Sequence, residues 1–252
     1  MDMSCNECRN IKLVLSYDGS FYNGWQRQRN TENTIQGILE RILSKVLSER
    51  IKVIGAGRTD AGVHALRQVA NFKTRNFSIP HDKFKVILNS SLPKSIRVIN
   101  SEEVPLDFNS RFSAKFRKYL YFVFLGDEKL LPFFRNYSYV SLKRDFDIGF
   151  MRSVVGDFVG EHDFRYVSSP GRYKSTIRFV RDLKVFRFRD FLVFSITANG
   201  FMYKMARGIV SILIESENRK DPFLVRKVLS GCKVNGLSLV PSSGLYLHRV
   251  YY

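Results

Sequence analysis

Chemistry in this sequence concentrates in Gly55-Ala56-Gly57-Arg58-Thr59-Asp60-Ala61-Gly62-Val63-His64-Ala65, where one carboxylate, one guanidinium, one hydroxyl and one imidazole stand among glycines. Glycines let the backbone turn tightly and approach a partner closely. Small residues follow Asp60, so nothing bulky next to it would keep a large substrate away. A carboxylate in such a loop can serve as nucleophile or base. It can equally be a turn former that bonds its own backbone. No Gly-Lys-Ser/Thr follows, so a phosphate cradle is disfavoured. Asp60 and His64 lack the further ligands zinc would need nearby. Taken alone, the loop leaves the turn and the reactive carboxylate both open.

The elements that must hold this loop are legible on either side of it. Ile11, Leu13, Leu15 and Tyr17 alternate as one face of a strand, and Asp18-Gly19-Ser20 ends it. The loop after it mixes Tyr22 and Trp25 with Arg27 and Arg29, a mixture that can stack on bases and pair with phosphates. For Trp25, a place at the edge of the core is an equal reading. Thr34 caps a predicted helix whose Ile35, Ile38, Leu39, Ile42, Leu43 and Val46 make an apolar stripe. The β-branched run Ile51–Ile54 leads into the loop and Gln68–Lys73 reads as the strand after it. Ser78-Ile79-Pro80 predicts a second helix start, with Phe84, Ile87 and Leu88 inward, and Ser95–Asn100 a further strand. That order is a split β-α-β arrangement.

Ser101–Asn109, polar and locally acidic with a proline, is the expected crossing between two parts, residues 1–105 and 106–252. Beyond it, Lys115–Leu125 reads as a strand and Phe146–Val159 as a helix. Ile177–Ala198 reads as a basic hairpin turning near Arg189-Asp190, carrying Arg178, Arg181, Lys184 and Arg187. A helix is expected over Phe201–Glu215, another between Asp221-Pro222 and Gly231, and a closing strand over Leu245–Tyr252. Periodicity by itself gives an α+β chain.

Forty-one Lys and Arg against 23 acids leave a net charge of +18, which points to a polyanionic partner, nucleic acid before membrane. No apolar run nears the roughly 20 residues needed to span a bilayer, and Met1–Cys8 shows no apolar signal segment, so a cytoplasmic protein is expected. Three cysteines make no disulfide framework, and Cys5 and Cys8 are half of a zinc spacing without the other half.

The Gly55–His64 loop is similar to the signature of the TruA family of tRNA pseudouridine synthases. So are Tyr17-Asp18-Gly19-Ser20-Phe21-Tyr22-Asn23-Gly24-Trp25-Gln26-Arg27-Gln28, Phe116–Tyr121, Gly160–Phe164, Phe201–Arg207 and Gly244–Leu247, in the family's order. The resemblance implies two ferredoxin-like or RRM-like halves, their sheets joined side by side with a catalytic cleft between. It implies isomerisation of uridine to pseudouridine at positions 38 to 40 of the tRNA anticodon stem-loop, by a homodimer whose tRNAs span both subunits. It assigns Asp60 to the ribose of a flipped-out nucleotide, Arg207 to pairing with that carboxylate, and Tyr119 to the uracil. Arg58 would displace the base and hold the opened RNA, with Thr59, Arg27 and Tyr119 also binding substrate. No cofactor and no metal are expected, because the reaction needs neither. His64 and His162 are expected to be structural. Two positions depart from the pattern: Ala206 for Val and Ser211 for Gly. Rival readings are a catalytically silent RNA-binding protein on the same scaffold and a hydrolase that would release free uracil.

Overall fold

The computed structural model describes residues 8–171, 173–234 and 236–252. In chain order they form β1 (Arg9–Tyr17), α1 (Ile35–Leu47), β2 (Ile54–Gly55), β3 (His64–Thr74), α2 (Phe84–Ser91), β4 (Ile96–Val104), β5 (Phe116–Phe124), α3 (Leu131–Phe134), β6 (Tyr139–Val140), α4 (Ile148–Val154), β7 (Gly160–Asp163), β8 (Ile177–Phe188), β9 (Phe191–Ala198), α5 (Met205–Arg219), α6 (Leu224–Leu229) and β10 (Leu245–Tyr251). The mixture is α+β. The chain divides into two compact units: the first ends at Lys115 and takes back Leu247–Tyr252, and the second is Phe116–Tyr246.

In the first unit β1 lies between β4 and β3, antiparallel to both, and β2 pairs antiparallel with the far edge of β3. The alternation along β1 buries Ile11, Leu13, Leu15 and Tyr17 together, as their spacing requires. Thr34 Oγ1 accepts the Gly37 amide hydrogen at 3.2 Å and starts α1. The helix then buries Ile35, Ile38, Leu39, Leu43 and Leu47, each contributing about 1.5–3 kcal/mol. Phe84 of α2 meets Phe72 of β3 edge-on at 5.4 Å. The unit is closed by the chain end: Lys115 N donates to Tyr251 O at 2.8 Å and Tyr252 OH to Ser110 O at 2.9 Å.

In the second unit β9 lies between β5 and β8, and β7 follows β8, all antiparallel. Residues 119, 121 and 123 of β5, 192, 194 and 196 of β9, and 183 and 185 of β8 share one buried face. On α5, Glu217 is buried and receives hydrogen bonds from Lys143, from Lys220 Nζ at 3.0 Å and from the Asp147 amide at 3.3 Å.

Several boundaries differ from the sequence reading. The second helix starts at Phe84, because Pro80 opens a turn closed by Lys83 N on Pro80 O at 3.0 Å. Ser101–Val104 extend β4, paired with β1, although their composition suggested a crossing. Phe146–Val159 shortens to α4, capped by Asp147 on the Phe150 amide at 2.8 Å and followed by a tighter 3-10 turn over Val155–Phe158. The helix expected from Phe201 begins at Met205: Lys204 has φ +62 and Met205 N closes a turn on Met202 O. Met202 and Met205 are buried whether their three-residue spacing belongs to a turn or to a helix, so the pattern did not discriminate.

Candidate active site

Asp60 sits in the first unit, half-buried, between β2 and β3, with Arg58 exposed and Thr59 buried beside it. The loop is fixed residue by residue. Ala56 N bonds Val69 O at 2.8 Å and Val63 N bonds Asp60 O at 3.1 Å. Gln68 Nε2 donates to Gly57 O at 2.8 Å. Thr59 Oγ1 shares a hydrogen bond of 2.8 Å with the Tyr17 hydroxyl, itself reached by Gln68 Nε2 at 3.4 Å. Burial pushes Tyr17 up to about 12, against the pull of Thr59 and Gln68, so it is a neutral phenol throughout the working range. Trp25 N donates to Thr59 O at 2.9 Å, which ties the 17–28 segment to the loop. Gly24 makes this approach possible: its φ is +89, and a Cβ there would lie 2.6 Å from Thr59 O.

The aromatics of that segment do not face solvent. Trp25 and Tyr22 are buried, and Trp25 tilts against Tyr17 at 6.1 Å. The stacking role considered for them is therefore replaced by a packing role, since both rings are enclosed. Arg27 is different: its guanidinium reaches solvent, 59 % exposed, while pairing at 3.2 Å with Glu40, which is 8 % exposed. Glu40 Oε1 also accepts the Val53 amide hydrogen at 3.0 Å, just ahead of the Asp60 loop. His64 is buried and its Nδ1 receives the Gly19 amide at 3.1 Å, while a His162 ring nitrogen lies 3.1 Å from Val159 O; both are structural contacts.

The second unit brings Tyr119 together with the Phe201–Arg207 segment. Tyr119 is buried on β5, its ring edge-on to Phe201 at 4.8 Å. Arg207, in the first turn of α5, donates from Nε to Val240 O at 2.7 Å. Val240 N donates to Ser211 Oγ at 2.9 Å, and that hydroxyl donates to Arg207 O at 2.9 Å, closing a ring of three hydrogen bonds. On its Val167 side the helix packs closely at Gly208, where a Cβ would sit 1.9 Å from Val167 O. Tyr121 donates to Pro241 O at 2.8 Å; burial raises its pKa, with the charge of Arg207 pulling the other way. Sequence reading singled out neither Tyr121 nor the Ser211 contact. Tyr121 was available, two positions along the same strand face from Tyr119.

Cys5 lies outside the described residues, and Cys8 is half-buried. Among the described residues no three His, Cys, Asp or Glu side chains cluster as metal ligands would, and no helix is long and apolar enough to cross a membrane.

Residues 13–113 and 154–252 match the family model described as tRNA pseudouridine synthase. The chain belongs to that family, isomerases that convert uridine to pseudouridine in tRNA. Within it the chain falls in the TruA family. It is 39% identical over 247 residues to tRNA pseudouridine synthase A 2 of Clostridium perfringens, covering 97% of this chain and 100% of that one. It is 37% identical over 246 residues to tRNA pseudouridine synthase A of Brachyspira hyodysenteriae, covering 96% and 98%. Among solved structures, a Cbf5-Nop10-Gar1 complex is similar at TM-score 0.38 and 12% identity over 92% of this chain and 50% of that chain, too loose a likeness to define the fold.

Proposed function

We propose that the protein isomerises uridines 38 to 40 in the tRNA anticodon stem-loop, with Asp60 acting on the ribose of a flipped-out nucleotide. The observation that carries this reading is the Asp60 loop, whose backbone is bonded at Ala56 and Gly57 to β3 and at Thr59 to the Trp25 segment, and is closed by Val63 N on Asp60 O. A carboxylate that must meet C1′ or C2′ of an extruded nucleotide needs such fixing, because small misplacements cost large factors in rate. In the reaction the N1–C1′ bond breaks and C5–C1′ forms; the C5 proton leaves and N1 carries one, so no electron carrier is required.

In this reading Arg207 pairs with Asp60 and holds it ionised, and Tyr119 faces the uracil. Arg58 enters the space left by the extruded base, while Thr59 and Arg27 help to hold the RNA. The antiparallel order β4-β1-β3-β2 in the first unit, and β5-β9-β8 in the second, supports two ferredoxin-like halves; the reading sets their sheets side by side with the catalytic cleft between them. The reading includes a homodimer acting in the cytoplasm.

The test is to treat a tRNA transcript with wild-type protein and with Asp60→Asn, then map pseudouridine by carbodiimide modification and primer extension. Pseudouridine at 38, 39 or 40 with wild type alone is the expected result. Pseudouridine only at other positions, or free uracil in the supernatant, overturns it.

A further inference from the structure

Beside α1, on a flank of the first unit, lies an open cleft of about 580 Å³ with Arg27, Arg29, Arg41 and Arg50 in its walls. We infer that this cleft is a binding site for successive phosphodiesters of the tRNA backbone, in which Arg27, already assigned to hold the RNA, is joined by Arg29, Arg41 and Arg50, which have no role at the reacting uridine. The inference rests on the RNA substrate of the preceding section and adds a second place where that substrate is gripped.

The charges are unevenly matched. Glu40 is engaged by Arg27 at 3.2 Å and by the Val53 amide. Among the described residues Arg41 pairs with Glu32 alone, 3.4 Å away and 93 % exposed, a pair worth about 0–1 kcal/mol that a phosphate can displace. Among the described residues no ion pair engages Arg29 or Arg50. Two guanidinium groups are thus uncompensated and a third is weakly held, around an open space.

The lining also says which anion fits. It contains no aromatic side chain, so a base finds no ring to stack on, whereas four guanidinium groups offer charge to phosphates. Its arginines come from three separate chain segments, an extended arrangement suited to a repeating backbone rather than to one enclosed ion. The cleft is also tied to the catalytic loop. Gln36 Oε1 accepts the Arg27 amide at 2.9 Å and Gln36 Nε2 donates to Val53 O at 3.0 Å, two residues before Gly55. Phosphates held here are therefore held at a fixed distance from Asp60.

The experiment measures tRNA affinity against salt for wild type, Arg29→Ala/Arg50→Ala, Arg29→Lys/Arg50→Lys, and a pair of exposed lysines of the same unit that do not line the cleft, Lys85→Ala/Lys94→Ala. Each lost phosphate contact removes about 0.7–0.9 from the slope of log affinity against log salt. The arginine-to-alanine pair should therefore flatten the slope by about 1.4–1.8 and raise KM more than it lowers kcat. The lysine replacements should keep the wild-type slope, as should Lys85→Ala/Lys94→Ala. A wild-type slope in Arg29→Ala/Arg50→Ala, or an equal flattening in Lys85→Ala/Lys94→Ala, overturns the site. Displacement of tRNA by micromolar uridine monophosphate also overturns it, in favour of a small-molecule site. Mapping pseudouridine in the same reactions separates the two readings, since absence of modification at 38 to 40 by wild type would count against the proposed target positions and leave the slopes comparable.

Discussion

Ser211 Oγ accepts the Val240 amide hydrogen at 2.9 Å across 29 residues of sequence, while the carbonyl of the same Val240 accepts Arg207 Nε at 2.7 Å. One of the two residues that depart from the family pattern therefore fixes the chain segment on which the proposed partner of Asp60 rests.

Removing this hydroxyl is the first test. In Ser211→Ala the buried Val240 amide loses its acceptor, a loss of about 1–3 kcal/mol. For a chain of this size that is roughly 2–4 °C of Tm per kcal/mol. Calorimetry should show the drop, and kcat should fall severalfold as the Val240 carbonyl shifts under Arg207. A Tm and kcat equal to wild type would mean that the ring of hydrogen bonds does not position Arg207.

Asp60→Asn should separate binding from turnover. The substitution keeps the shape of the side chain and leaves the basic surface intact, so tRNA affinity should stay within about threefold while kcat falls by at least about a thousandfold. Single-turnover assays with trapped tRNA measure both. A rate within tenfold of wild type would remove Asp60 from the chemistry.

The helix junction at Glu217 predicts a pH dependence of stability. Burial would raise the Glu217 pKa, but the hydrogen bonds from Lys143, Lys220 and the Asp147 amide outweigh it and hold the carboxyl below its ordinary value of 4.5. A carboxyl depressed in the folded state contributes stability that is fully present above the unfolded value and is lost as pH falls through the folded one. Urea unfolding at a series of pH values should show stability decreasing from about pH 5 downward. Glu217→Gln should flatten that limb and be less stable than wild type at pH 7. An unchanged acid limb in Glu217→Gln would assign the dependence to other carboxylates, Asp147 and Asp221 first among them, whose pKa values are also lowered.

Gly24 offers a backbone test of the loop. Gly24→Ala puts an L side chain at φ +89 and its Cβ within 2.6 Å of Thr59 O and 3.0 Å of the Asp60 carbonyl carbon. The conformation alone costs about 1–3 kcal/mol, and the clash must move the Asp60 loop, so kcat should fall more than Kd for tRNA rises. Gly156→Ala, where an added Cβ meets nothing within 4 Å, should leave stability within about 0.5 kcal/mol. Equal behaviour of the two variants would show that the 59–61 backbone does not depend on Gly24.

Local patterns in the sequence were enough for β1, for the capped helix α1 and for the β8–β9 hairpin, because alternation, a Thr cap and a turn at Arg189-Asp190 are each written within a few residues. The start of α5 was not legible, because Met202 and Met205 pack identically in a turn and in a helix. Trp25 was ambiguous because an aromatic beside arginines suits either a base or a core, and only its enclosure decides. The Ser211–Val240 bond and the four-arginine cleft were out of reach for a different reason. Both depend on residues that only the folded chain brings together.

The first unit is completed by Leu247–Tyr252, with about 130 residues of the second unit intervening after Lys115. A ribosome working at about 5–20 residues per second takes roughly 7–26 s to cross that interval. Throughout it the segment bearing Asp60 has left the tunnel with one edge of β3 still waiting for β10, its neighbour in the finished sheet. An unpaired strand edge of this kind is what chaperones shield and neighbouring nascent chains invade. Maturation of the Asp60 loop is thus timed by β10, a strand translated long after the rest of its unit.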